Sequence, residues 1–245
     1  MKSFDFESLQ RKQEQLAALR PLTAGEVARL REEFIIENTY NSNAIEGSTL
    51  TLGETALVLE GITIDKKPLK EHLEAVGHRD AFLYILELVQ QQVPVSEKVI
   101  KDIHSLVLVD RAQDKGVYRR VPVTIAGAVH APPQPYLIMP QMEELIQKHE
   151  AMQNNNFFER AALFHLLFEG IHPFIDGNGR TGRLLITLQL LQHGYLPISV
   201  KFTDRKRYYD CFGSFYSTGS AEAMLNLIGE YEEAELDRYI AMLEG

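Results

Sequence analysis

The chain has 245 residues, 45% of them hydrophobic and 24% charged, which suffices for one sizeable core and is ordinary for a globular protein. Its formal net charge of −9 argues against a general grip on nucleic acid, since the count forces no basic face. A single cysteine, Cys211, excludes an internal disulfide and any multi-thiolate metal site, and a reducing compartment is the simplest expectation.

Residues 1–20 are polar and charged, without the apolar core of a secretory leader, and no later run is long enough to span a bilayer. The expectation is a cytoplasmic protein that engages neither membrane nor nucleic acid. Apolar spacings of three and four dominate the rest of the chain, so most of it reads as helix. Thr23 and Glu26 form a capping box opening a helix to about Ile45, which Gly47 ends. Thr51 and Glu54 form a second box, for a short helix toward Glu60. After a break at 66–68, Leu69 to Val93 reads as one long helix with an apolar stripe of Leu73, Val76, Ala81, Leu83, Ile85, Leu86 and Leu88. Pro94 ends it and Ser96 caps the next.

Between Val117 and Ile138 the pattern changes. Val121, Val123 and Ile125 alternate, Gly127 offers a turn and Pro132-Pro133 comes after it, so a β-hairpin or extended flap is expected. Helices resume over 141–152 and 156–171. A further apolar helix ends at Gly194, and the remaining helices cover 208–215 and 224–243. No repeat and no low-complexity linker appears. The predicted architecture is a helical bundle carrying a hairpin, with an N-terminal helical region over 1–95 and a core with C-terminal helices over 96–245.

One segment concentrates chemistry: His172-Pro173-Phe174-Ile175-Asp176-Gly177-Asn178-Gly179-Arg180-Thr181-Gly182-Arg183. A proline ends one helix and a glycine-rich turn feeds the next. A helix N-terminus reached through glycines offers backbone N–H groups and a positive dipole end to an anion. Arg180 and Arg183, three apart, suit the oxygens of a di- or triphosphate. A carboxylate in such a cradle needs a cation between itself and the phosphates, so Asp176 reads as a Mg²⁺ ligand, with Mn²⁺ the alternative. His172 can accept a proton near neutral pH. Each residue alone has a structural reading; their joint occurrence points to phosphoryl-type transfer. Arg205-Lys206-Arg207 reads equally as a phosphate contact or a solvated turn.

The segment resembles the Fic family motif, His-x-Phe-x-(Asp/Glu)-Gly-Asn-Gly-Arg-x-x-Arg, at every fixed position. The resemblance implies an all-α Fic-fold bundle and transfer of AMP from ATP to a Ser, Thr or Tyr hydroxyl of a target protein, with release of pyrophosphate. It makes His172 the base and Asp176 the metal ligand. Gly177, Asn178 and Gly179 become the anion hole, and Arg180 and Arg183 the clamp on the outer phosphates. Gly116-Val117-Tyr118-Arg119 together with Val121 to Pro133 resembles the family's flap, in which Val121, Val123, Thr124 and Ile125 would pin the target by strand addition. Tyr208 and Tyr209 resemble aromatics bordering the adenine pocket, with core packing as their other reading. Family members often carry an asparagine some eight residues after that pair; here the place falls around Tyr216, which leaves the base, and so UMP or GMP transfer, open. Gly179 stands where the phosphate-transferring branch has lysine.

Ser42-Asn43-Ala44-Ile45-Glu46-Gly47 is similar to the family's inhibitory pattern, (Ser/Thr)-x-x-x-Glu-(Gly/Asn). The resemblance implies that Glu46, at the end of an N-terminal inhibitory helix, pairs with Arg183 and keeps it from the γ-phosphate, with Ser42 holding the helix end. The other reading of Gly47 and Glu46 is an ordinary helix terminus. The alternatives to an autoinhibited adenylyltransferase are a hydrolase that removes AMP with a water aligned by Glu46, and a nucleotide-binding regulatory protein without transfer. Relatives often pair as homodimers that modulate the brake.

Overall fold

The computed structural model describes residues 4–125, 130–152 and 156–244. Among these, the regular structure is helical: α1 (Phe6–Ala18), α2 (Ala24–Ile45), α3 (Leu52–Leu59), α4 (Leu69–Gln90), α5 (Glu97–Val107), α6 (Ile138–Ala151), α7 (Phe157–Ile171), α8 (Asn178–Gln192), α9 (Arg205–Thr218) and α10 (Glu222–Glu244). Short 3-10 turns at Pro135–Leu137 and Phe202–Asp204 lead into α6 and α9. No helix among the described residues is long and apolar enough to cross a membrane.

Both capping boxes form. The Thr23 amide donates to Glu26 Oε2 at 2.7 Å, and the Thr51 amide donates to Glu54 Oε2 at 2.8 Å. Each reciprocal pair satisfies two amides that a helix start otherwise leaves unpaired. Sequence patterning assigns no element before Thr23, yet α1 lies there. Asp5 accepts from the amides of Glu7 and Ser8, and Leu9 is fully buried against the second core. This helix is mostly polar and buries only Leu9 fully, so it carries no long apolar stripe.

α7 and α8 are the axis of the molecule. One core joins Phe82 and Ile85 of α4, Ile100 and Ile103 of α5, Phe164 and Phe168 of α7, and Leu184 and Leu188 of α8. A second joins Leu166 of α7 and Ile186 and Leu190 of α8 to Leu227 and Ile228 of α10. Both helices are therefore buried almost all round. Their junction, residues 172–178, is held from both sides by packed side chains.

Two expectations need correction. The buried face of α4 includes His72, Glu74 and His78, whereas Leu83 is exposed. Glu74 and His78 face the start of α8 and His72 accepts from the Ile64 amide, so hydrophobicity alone misplaces the face. No β-strand occurs among the described residues, so the hairpin is not seen. The stretch is extended without a ladder over 117–125 and 130–134, and the Gly127 turn lies outside the described residues. Side-chain bonds from Arg119 to backbone carbonyls take the place of strand pairing.

Glu232 of α10 is fully buried and accepts from the Leu196 amide at 2.8 Å, pinning the turn after α8. Burial pushes its carboxyl up to about 8, the Leu196 amide opposing. A carboxyl raised on folding loses stability as pH climbs from its unfolded value toward 8, because the unfolded chain releases that proton first. Glu232→Gln keeps an acceptor for Leu196. The variant is expected to match the wild type at pH 5 and to be more stable at pH 9, measured by urea unfolding at the two values.

Candidate active site

The site starts where α7 stops. His172 caps α7 in the left-handed region, φ 49°, and its amide donates to Phe168 O at 3.0 Å. Left-handed backbone in a non-glycine residue is strained and persists where surrounding structure enforces it. Here Arg119 does so. Its Nε donates to His172 O at 2.8 Å, and its backbone amide donates to Pro173 O at 2.9 Å. The same guanidinium donates to Val121 O at 3.0 Å and Pro133 O at 2.7 Å. One buried arginine thus ties both legs of the flap segment to the base.

The loop closes through Asn178, whose side chain accepts from the Phe174 amide and donates to Phe174 O, both at 2.9 Å. Gly177 has φ +79°, and a Cβ there would approach His104 Nε2 to 3.3 Å. His104 stacks on Phe174 with ring centroids 3.6 Å apart. Its Nδ1 accepts from the Gly116 amide and its Nε2 donates to Asp176 O, both at 2.9 Å. Burial holds this ring down to about 4, so it stays neutral with the proton on Nε2. α8 then begins at Asn178 without a side-chain cap, leaving its first amides available to an anion.

Asp176 Oδ1 accepts from the Gly177 amide at 2.7 Å and from Arg180 at 3.2 Å. Oδ2 lies 3.6 Å from Lys70 Nζ and 3.7 Å from Arg111, beyond hydrogen-bond length. Burial would raise this carboxyl, but Arg180, Lys70, the Gly177 amide and Arg111 together hold it below its ordinary value. A half-buried, ionised carboxylate with one oxygen free of short bonds suits a Mg²⁺ ion that takes its other ligands from phosphates and water.

The two motif arginines part company. Arg180 is buried and ion-paired with Glu74 of α4 at 2.8 Å as well as with Asp176. Arg183 turns to α2: Nε donates to Ser42 Oγ at 3.0 Å, and Nη2 donates to Ser42 O and to Glu46 Oε1, both at 2.8 Å. Glu46 is the one carboxylate within ion-pair distance of Arg183 among the described residues. It also sits against the start of α8, since a Cβ at Gly179 would fall 2.2 Å from Glu46 Oε1. Gly47, at φ +101°, turns the chain away beyond it.

Behind Arg183 the surroundings are neutral. Tyr208 is buried, with its hydroxyl 2.8 Å from His165 Nε2 and 3.5 Å from Arg183. Burial, then Arg183, lowers His165 to about 3 and His78 likewise. Burial also lowers His172, against the Glu169 backbone carbonyl that favours its protonated ring. Tyr209 is exposed beside Arg205. Lys206 pairs with Asp210 and Arg207 with Glu230, each at 2.7 Å, the solvated alternative for that basic run. Tyr216 stacks on His130 at 4.1 Å. Val121 and Thr124 are exposed, while Val123 and Ile125 are half-buried.

The structure therefore gathers His172, Asp176, Gly177, Asn178, Gly179, Arg183, Ser42, Glu46 and Tyr208 around the start of α8 and leaves Tyr209 exposed. Glu74, His104, Arg119, His165 and Glu169 escaped sequence reasoning. Glu74 and His78, four apart on the face that continues into Phe82 and Ile85, were the available signal. Arg119 and His104 act on backbone carbonyls and amides, which no spacing rule announces.

The chain is similar to known proteins along most of its length. A model of the Fic/DOC family matches residues 94–190. A protein adenylyltransferase Fic of Drosophila grimshawi is 34% identical over 95% of this chain and 48% of its own. That of Drosophila melanogaster is 34% identical over 96% of this chain and 48% of its own. The chain spans about half the length of the curated relatives it matches. Among solved structures, a Fic domain containing signaling protein from Bacteroides thetaiotaomicron aligns with a TM-score of 0.87 and 27% identity, over 99% of this chain and 98% of its own. Fic-1 from C. elegans aligns at 0.83 with 28% identity, over 96% of this chain and 70% of its own.

Removing Arg119 strands several buried carbonyls at once. Arg119→Ala is expected to cost about 2 kcal/mol, read as a fall of roughly 4–8 °C in Tm. Arg119→Lys should recover little, because an ammonium cannot fork to carbonyls on both legs.

Proposed function

The chain belongs to the Fic/DOC family, and on that premise we propose that it transfers AMP from ATP to a Ser, Thr or Tyr hydroxyl of a target protein. In the resting state Glu46 holds the enzyme off. The observation that carries the reading is the grouping of a neutral His172, an ionised Asp176 and an uncapped α8 N-terminus beside a buried Arg183 already engaged by Glu46.

Each residue has a physical task. The Glu169 backbone carbonyl favours the protonated His172 ring, and Nε2 is the nitrogen that would take the hydroxyl proton as the oxygen attacks the α-phosphorus. The first amides of α8, shaped by Gly177 and Gly179 and braced by Asn178, receive the negative charge that builds on the α-phosphate. Asp176 would hold Mg²⁺, which supplies charge neutralisation for the polyphosphate. Arg183 would bind the outer phosphate once Glu46 withdraws. Arg180, held between Glu74 and Asp176, would join Arg183 at the outer phosphates. The main chain of Val123, Thr124 and Ile125 makes no hydrogen bond among the described residues, which suits pairing with a target strand beside Val121. Tyr208 supports Arg183 from behind, and Tyr209 is the aromatic exposed toward a base.

The brake is a competition for one guanidinium. Removing one partner of a buried ion pair costs about 3–5 kcal/mol unless another charge replaces it. A phosphate can replace Glu46, but the two anions cannot share Arg183 and the space at Gly179. A second reading draws on the free Oε2 of Glu46, which no described residue bonds: it could align a water that removes AMP from a modified target.

Incorporation of labelled AMP into a lysate or the protein itself tests the first reading. Glu46→Gly is expected to raise incorporation by at least about 10-fold, the equivalent of 1.4 kcal/mol at Arg183. His172→Ala and chelation of Mg²⁺ should each abolish it in that background. Unchanged incorporation in Glu46→Gly would falsify the brake. Release of AMP from a modified target by the wild type, lost in Glu46→Gly, is the expected result for the second reading.

A further inference from the structure

Glu169 has no side-chain part in the transfer chemistry proposed for His172 and Asp176, yet it is the carboxylate nearest the base. It precedes His172 by three residues, so the two side chains meet at the end of α7. Glu169 Oε2 lies 3.9 Å from His172 Nδ1. Oε1 is buried without a hydrogen-bond partner. α8 presses on it, since a Cβ at Gly182 would come within 2.4 Å of Oε1. An acid buried without donors is costly to keep, and no packing need explains it where an apolar side chain would fill the same space. Such groups cluster at working sites.

We propose that Glu169 is a positioning residue for the base: its carboxylate faces Nδ1 of His172 and stabilises the imidazolium formed when Nε2 takes the acceptor proton. The inference rests on the AMP-transfer reading. In that step the acceptor O–H bond breaks and its proton moves to His172 Nε2. The oxygen bonds to the α-phosphorus, and the bond from the α-phosphorus to the bridging oxygen breaks to release pyrophosphate. Nδ1 keeps its proton throughout, and Glu169 neutralises the ring without touching substrate, as the carboxylate behind a catalytic histidine does elsewhere.

The placement also links the base to the brake. The charged and titratable groups facing Glu169 are Glu46 of α2, Arg183 of α8, Tyr208 and Tyr216 of α9, and His165 and His172 of its own helix. Burial, then Glu46, pushes Glu169 up to about 8, with Arg183 opposing. While Glu46 is in place, Glu169 holds its proton at neutral pH and gives the ring no charge support. Withdrawal of Glu46 removes a like charge, so the same movement that frees Arg183 favours the ionised Glu169 until a phosphate takes the place of Glu46.

The test compares Glu46→Gly with Glu46→Gly/Glu169→Gln in labelled AMP incorporation. The expected result is a fall of about 10- to 100-fold in kcat, the range seen for partners that orient a working histidine, with KM for ATP unchanged within about twofold. Glu169→Asp, which keeps the charge, should recover part of the rate. In the single variant kcat should rise with pH as Glu169 ionises, and Glu169→Gln should flatten that rise. A readout without turnover accompanies these: the His172 ring resonance in the wild type should show an inflection near pH 8 that Glu169→Gln removes. Unchanged kcat and titration in Glu169→Gln would overturn the proposal. So would equal losses in the Gln and Asp variants with a lowered Tm and an unaltered titration, the signature of packing alone. Failure of Glu46→Gly to transfer AMP would instead remove the transfer reading, while the resonance still reports whether Glu169 and His172 are coupled.

Discussion

A buried guanidinium needs acceptors for its donors, and at Arg183 the fold supplies them from Ser42 and from the carboxylate of Glu46. The side chain is 6% exposed, is backed by a tyrosine and neutral histidines, and points at the end of α2. Its surroundings offer hydrogen-bond acceptors in Ser42 but only one contacting carboxylate, Glu46, among the described residues. Whatever replaces Glu46 must carry negative charge and fit against the bare backbone of Gly179. A phosphate meets both conditions. In the proposed reading the nucleotide and the brake therefore compete for the same charge.

The rest of the site is rigid for reasons that lie outside the motif. α7 and α8 are packed on two sides, so the loop between them has fixed ends. Within the loop, Asn178 spans Phe174, His104 spans Gly116 and Asp176, and Arg119 spans the flap segment and His172. Arg180 completes this frame by joining Glu74 of α4 to Asp176. A site that handles a polyphosphate keeps its anion-binding amides aimed by such bracing, so that little reorganisation is left for the reaction itself. The left-handed His172 is the strained member, held by contacts on both sides.

Much of this was legible in residue order. The capping boxes located the starts of α2 and α3 because they are local bonds between residues three apart. The glycine-rich turn before α8 was legible because only glycine tolerates the backbone at Gly177 and the approach of Glu46 at Gly179. The pairing of Glu46 with Arg183, 137 residues away, came from a family pattern and no local rule could have supplied it. The expected strands failed because alternation of Val121, Val123 and Ile125 measures a half-buried extended chain, and extension without a partner makes no sheet.

Residue order by itself determined the helical class, the helix starts that local caps define, the anion cradle and the residues that ring it, because each depends on neighbours within one or two turns. Tertiary structure alone decided which cation meets which anion. Arg180 and Arg183 are three apart and look equivalent as text, yet packing sends one to Glu74 and the other to Glu46. These partners lie on different helices, and only burial, which forbids an unpaired charge, selects among them.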